Sequence, residues 1–113
     1  MKFVFALKDG IVERAPIAAD RVLEGAPMTE TRLDYEKDGT YAGEWAASVG
    51  AWRVRYDEWE FCHMLEGVCE LVDENGGAQR FSAGDSFVIE PGFAGVWRVI
   101  APMRKRFVIR VQL

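Results

Sequence analysis

Residues 60–99 read EFCHMLEGVCELVDENGGAQRFSAGDSFVIEPGFAGVWRV. Short apolar runs alternate there with Glu66-Gly67, Asn75-Gly76-Gly77, Ala83-Gly84-Asp85 and Glu90-Pro91-Gly92. Turn-forming clusters at this spacing predict an all-β chain folded as a small antiparallel barrel or sandwich. Phe61 to Leu65 and Val68 to Val72 read as a hairpin around Glu66-Gly67, with Glu60, Cys62, Met64, Cys69 and Leu71 on one face. A second hairpin follows Asn75-Gly76-Gly77. Ser86-Phe87-Val88-Ile89 is short and continuous, as a strand covered on both faces would be.

Outward from this stretch the pattern stays β. Trp52-Arg53-Val54-Arg55-Tyr56 alternates strictly, which places Trp52, Val54 and Tyr56 inward and both arginines outward, toward a rim or a subunit contact. Thr31 to Tyr35 and Tyr41 to Ala47 read as strands joined by Lys37-Asp38-Gly39-Thr40, and Arg104 to Val111 closes the sheet. Lys2 to Leu7 looks like a strand entering the Asp9-Gly10 turn. Ile11 to Glu30, broken by Pro16, Gly25 and Pro27, reads as an irregular arm with short strands and at most a helical turn or two around Ala18 to Leu23. The expected organisation is one domain over 1–113, with an arm at 1–30 and the barrel at 31–113.

A chain of 113 residues with four Trp, seven Phe and three Tyr carries enough bulk for its own core. Its net charge of −4 argues against a nucleic-acid partner, which would show as a basic face. The one basic cluster, Arg104-Lys105-Arg106, reads as a solvated strand edge. The apolar run within Met1 to Leu7 is too short for a bilayer and no cleavage site follows it, so the expectation is a cytoplasmic protein with no membrane partner. Cys62 and Cys69 lack a C-x-x-C spacing and read as free, buried thiols.

The order of Glu60, Gly67, Gly84, Glu90-Pro91-Gly92 and Gly95 resembles the two sequence motifs of the cupin superfamily, with Pro91 shifted by one. More closely, Trp59 to Gly67, Phe81 to Ile89, Gly92 to Val99 and Arg104-Lys105 are similar to small single-domain cupins related to (S)-ureidoglycine aminohydrolase and to the ethanolamine-utilization cupin. The likeness runs from about Gly25 to Val111. It implies a cupin-type antiparallel β-barrel, a jelly-roll-like double-stranded β-helix. The three histidine positions of the motifs fall on Val54 and Tyr56, or on Arg53 and Arg55, and on Gly95. The expectation is therefore no metal and no cofactor, since imidazole and carboxylate donors must converge to hold one.

Glu60 is the best candidate for chemistry, because an inward carboxylate must find a partner or raise its pKa. Two readings stand: an acid/base or substrate anchor, and a structural acceptor tied to a tyrosine, an arginine or an amide. Trp52, Tyr56, Glu60, Cys62, Phe93 and Trp97 are the expected pocket residues, each with a packing role as its plainer reading. Nothing adjacent in sequence supplies Cys62 with a base on its face, and His63, three residues from Glu60, points to the other side of the strand. The function so read is metal-independent binding of a small polar or carboxylated molecule, with the reaction left unassigned. The alternatives are hydrolysis of a ureido or related amide compound, which the resemblance suggests, and a structural or regulatory dimer. Exposed sheet edges and the strand-like arm predict a homodimer.

Overall fold

The computed structural model describes residues 2–4 and 10–111. Among the described residues there are nine strands: β1 (Val12–Pro16), β2 (Val22–Gly25), β3 (Met28–Lys37), β4 (Thr40–Ala47), β5 (Gly50–Arg55), β6 (Trp59–Asp73), β7 (Ala78–Ser82), β8 (Ser86–Ile89) and β9 (Ala94–Arg110). All pairings are antiparallel. Two long strands organise the molecule. β6 runs beside β9 for almost its whole length, from Trp59↔Arg110 to Asp73↔Gly95. The other edge of β9 takes β4 along Met103 to Arg110 and β5 along Ala94 to Val99. Similarly, β6 carries β8 at its start and β7 at its end. The result is two sheets that share β6 and β9 and curl over a common interior: β1-β3-β4-β9-β6-β8 and β2-β5-β9-β6-β7.

The Glu66-Gly67 hairpin does not form. β6 continues through that point as one strand with register shifts between Met64 and Cys69, the place where β9 exchanges β4 for β5. Gly67 adopts φ +83, and a Cβ there would run into the Pro102 carbonyl of β9. The glycine therefore serves a bulge that bends the strand pair from one sheet into the other. The same bulge shifts the side-chain phase by one residue. Glu60, Cys62 and Met64 before it and Cys69 after it are consequently all buried on the inner face, as expected, although a bulge and not a hairpin aligns them.

The remaining turns follow their chemistry. Asp38 and Gly39, at φ 50 and 81, make the two-residue loop between β3 and β4. Asp73 accepts the backbone amides of Asn75 and Gly77 in the β6–β7 turn, and Asp85 accepts that of Ser82 ahead of β8. β8 departs from expectation, because among the described residues it pairs only with β6, and it leaves Val88 exposed. It is an edge strand, not one covered on both faces. Ala18 to Arg21 form a turn and no helix, and the segments of the arm join the sheets, β1 on β3 and β2 on β5. The expected strand at Lys2 to Leu7 lies largely outside the described residues, and Lys2 to Val4 carry none. Among the described residues no helix is long and apolar enough to cross a membrane.

Aromatic side chains from the two sheets meet in the interior. Trp45 of β4 lies 6.2 Å from Trp52 of β5 and 5.7 Å, edge-on, from Trp97 of β9. Phe81 of β7 stacks on Phe87 of β8 at 3.9 Å. Such contacts fix how far the sheets close.

Candidate active site: a buried ion pair on a tryptophan floor

The inner face of β9 alternates Met103, Lys105, Phe107, all buried, while Arg104 and Arg106 turn outward. The basic triplet is thus not a solvated edge as a whole: period two sends its middle member into the barrel. There the Lys105 Nζ donates to Glu60 Oε2 at 2.9 Å and contacts Cys62 Sγ at 3.4 Å. Both charged residues are 3% exposed. The ammonium also sits over two indoles, 4.7 Å from the Trp45 ring and 4.5 Å from that of Trp97. Cation–π attraction grows when the cation is desolvated, so the indoles help to hold the charge where water is scarce. Burial alone would lower the Lys105 pKa, but the Glu60 carboxylate and then the Cys62 sulfur outweigh it and leave it raised. Lys105 is therefore an ammonium at neutral pH.

Neighbouring groups stay neutral. Burial, assisted by the charge of Glu60, pushes the Tyr56 hydroxyl far up. Burial pushes the Cys62 thiol up to about 12 even though Lys105 acts to lower it, and Cys69 up to about 11. Both cysteines are free, and neither is a thiolate nucleophile at neutral pH. Trp97, 1% exposed, has an indole N–H with no hydrogen-bond partner. An unsatisfied buried donor costs on the order of 1–3 kcal/mol.

A cavity of about 490 Å³ opens onto this pair. Trp45, Trp52 and Trp97 line it with Tyr56, Glu60 and Lys105, and Arg21, Arg55 and Glu58 are its other charged lining residues. Four expected pocket residues, Trp52, Tyr56, Glu60 and Trp97, are therefore brought together. Two are not. Cys62 is fully buried, 3.4 Å from the Lys105 Nζ, and lines no part of the cavity. Phe93, edge-on to Tyr56 at 6.2 Å, faces instead a separate concavity of about 630 Å³ with Leu71, Phe81 and Phe87. That larger hollow has no buried charged group; its two charged lining residues, Asp73 and Glu90, are both exposed. His63 pairs with the Ser86 hydroxyl through Nδ1 at 2.7 Å, away from the cavity.

Lys105 and Trp45 were not among the expected site residues. The signal was present for Lys105: counting by twos from Met103 to Phe107 places it with the core. Arg55, expected at a rim, lines the mouth; it is the last residue of β5 and is exposed.

Residues 35–107 match the EutQ-like cupin domain. The chain belongs to that family. Among solved structures, this cupin is similar to a DUF861-family protein of unknown function from Pseudomonas syringae pv. tomato, at TM-score 0.80 and 17% identity, covering 89% of this chain and 45% of that one. It is similar to the EutQ protein of Clostridium difficile at TM-score 0.68 and 14% identity, covering 74% and 63%. A DUF861-family protein from Thermotoga maritima is 31% identical over 57% of this chain and 73% of that one, at TM-score 0.55. The chain thus spans less than two thirds of the length of the Pseudomonas and Clostridium proteins. No curated protein matches it.

Many cupins hold a metal, and the donor set of this one does not fit it. Among the described residues no three His, Cys, Asp or Glu side chains converge. At Gly95, the second-motif histidine position, even a Cβ would strike the Val72 carbonyl. Glu60, the motif carboxylate, already has a cation beside it in Lys105.

Proposed function

We propose that this cupin binds a small polar or carboxylated molecule in its barrel without a metal, using Glu60, Lys105 and Tyr56 as polar contacts and the indoles as an apolar bed. One observation carries the reading: a fully buried ion pair borders a cavity and not dry packing. Buried ion pairs are poor devices for stability, since well-packed apolar residues of equal volume often do as well or better. A pair retained at the edge of a cavity of ligand size therefore supports a binding role. The test is native mass spectrometry together with elemental analysis of protein purified without chelator. The expected outcome is a small organic adduct and well under one equivalent of Zn, Mn, Fe or Ni; a stoichiometric metal lost in Glu60→Gln would overturn the reading.

A second reading is turnover of a ureido or related amide compound. It is favoured by Lys105, which adds to the Glu60 carboxylate an ammonium that can donate a proton to a leaving group or hydrogen-bond a developing oxyanion. Ammonia release from such compounds, absent in Glu60→Gln, is the measurement that separates turnover from binding. A structural dimer with a filled core is disfavoured by the cavity itself.

A further inference from the structure

Charge is divided unequally along the Glu60 cavity. At its inner end the ionised groups are Glu60 and Lys105, one of each sign, and the pair is closed upon itself at 2.9 Å. The groups around it, Tyr56 and Cys62, are neutral. An anion placed there would be a second buried negative charge with no counter-charge, and desolvating it would cost more than the half-shared ammonium returns. What the inner end still offers is hydrogen bonding, from the remaining ammonium protons, the carboxylate and the Tyr56 hydroxyl.

The mouth differs. Arg21 and Arg55 line both this cavity and a neighbouring hollow of about 430 Å³ that adds Arg53 and the acids Asp73 and Glu74. The cluster is built by the fold: the turn ahead of β2 holds Arg21 beside β5 through the Arg53 amide, which donates to the Arg21 carbonyl at 2.9 Å. Among the described residues none of these three arginines forms an ion pair, in contrast to Arg14, Arg32, Arg80, Arg98, Arg104 and Arg106, which all do. Among the described residues that line the Glu60 cavity, Glu58 is the one acid outside the buried pair, against Arg21 and Arg55; Asp73 and Glu74 line the neighbouring hollow and not this cavity. One positive charge is left over where a ligand would enter.

We infer that the ligand is a monoanion bound in one orientation, with its carboxylate at the mouth against Arg55 and Arg21 and a neutral hydrogen-bonding group, carbonyl or hydroxyl, at the Glu60–Lys105 end. This rests on the binding reading above and adds the ligand's charge and direction to it. Dianions with charge at both ends, and cations, are excluded by the same division of charge.

Isosteric probes test it. Succinamate, succinate and succinamide have nearly the same shape and differ in charge, and glutaramate, glutarate and glutaramide repeat the comparison one methylene longer. Calorimetric titration should show the best monoanion binding about tenfold or more tightly than its dianion and its neutral diamide, as the loss of one charge-assisted contact implies. Arg55→Ala should bring the monoanion down to the diamide while leaving the diamide unchanged. Dianions binding as well as monoanions, or an Arg55→Ala protein that still prefers the monoanion, would overturn the division of charge and leave the binding reading standing. Binding of none of the six overturns both.

Discussion

Arg104, Lys105 and Arg106 are consecutive and alike in charge, yet the sheet puts them in opposite worlds. On the outer face Arg104 approaches Glu30 and Glu44, each at 3.7 Å, and Arg106 approaches Asp34 at 3.0 Å and Glu44 at 3.8 Å. Arg32 binds the same two acids, Asp34 at 2.8 Å and Glu44 at 2.7 Å. Every acid in that lattice has at least two guanidinium neighbours, so each contact has a substitute. On the inner face Lys105 has one carboxylate, and Glu60 has one cation. The difference teaches that the worth of a charge here depends on what its removal strands, not on how many partners surround it.

The largest effect should come from stranding the inner carboxylate. Lys105→Met leaves Glu60 buried without a cation and should destabilise the protein by about 3–5 kcal/mol. Lys105→Met combined with Glu60→Met removes both charges and should recover most of that loss in denaturant midpoints. A double variant as unstable as the single would show that the two residues do not act as a unit. The pair also sets an alkaline limit. Because the Lys105 pKa is raised in the folded state, its contribution is fully present below the unfolded lysine value of about 10.4. It is lost as pH climbs through the raised folded value. The double variant should lack this component of alkaline unfolding.

The strands and most turns were legible because their signals are local: Asp38-Gly39 demands positive φ wherever it occurs, and Trp52 to Tyr56 alternates within five residues. Glu66-Gly67 was misread because a glycine between two apolar runs signals a hairpin or a bulge equally well. The choice is made by β9, some thirty residues on, which lies beside both halves of β6. Glu60 is legible as a buried acid, and its partner is not, since three consecutive basic residues read as one charge cluster and hide the strand phase of the middle one. The inner end of the cavity was therefore half read. Its mouth depends on the turn that brings Arg21 beside Arg53, a contact between distant segments that no local pattern announces.

Gly67→Ala should rank next and sharpens the role of the bulge. Its φ of +83 disfavours any side chain, and the Pro102 carbonyl fills the space a methyl would need. A loss of about 2 kcal/mol or more is expected, with backbone shifts in amide spectra spreading along β6 and β9. If the methyl were tolerated within about 0.5 kcal/mol, the bulge would not be what aligns Glu60 with Cys69 on the inner face. Asp85→Ala strands one backbone amide, that of Ser82, in an exposed turn and should cost about 1 kcal/mol. An unchanged midpoint would mean that water replaces the carboxylate there.

The smallest effect should be Arg104→Ala. Its two contacts are long, and Glu30 keeps Arg14 at 2.9 Å while Glu44 keeps Arg32 at 2.7 Å, so no acid loses its last cation. Exposed pairs of this kind are worth about 0–1 kcal/mol, and the change should stay under about 0.5 kcal/mol. Salt distinguishes the two faces further. At 1 M salt the screening length falls to about 3 Å, so any Arg104→Ala deficit should vanish, whereas the Lys105→Met deficit should largely persist because a residue 3% exposed is screened much less than a surface charge. Equal salt sensitivity of the two variants would mean that solvent ions reach the Glu60–Lys105 pair through the cavity mouth. The inner face would then behave electrostatically as the outer one does, and the contrast between them would fail.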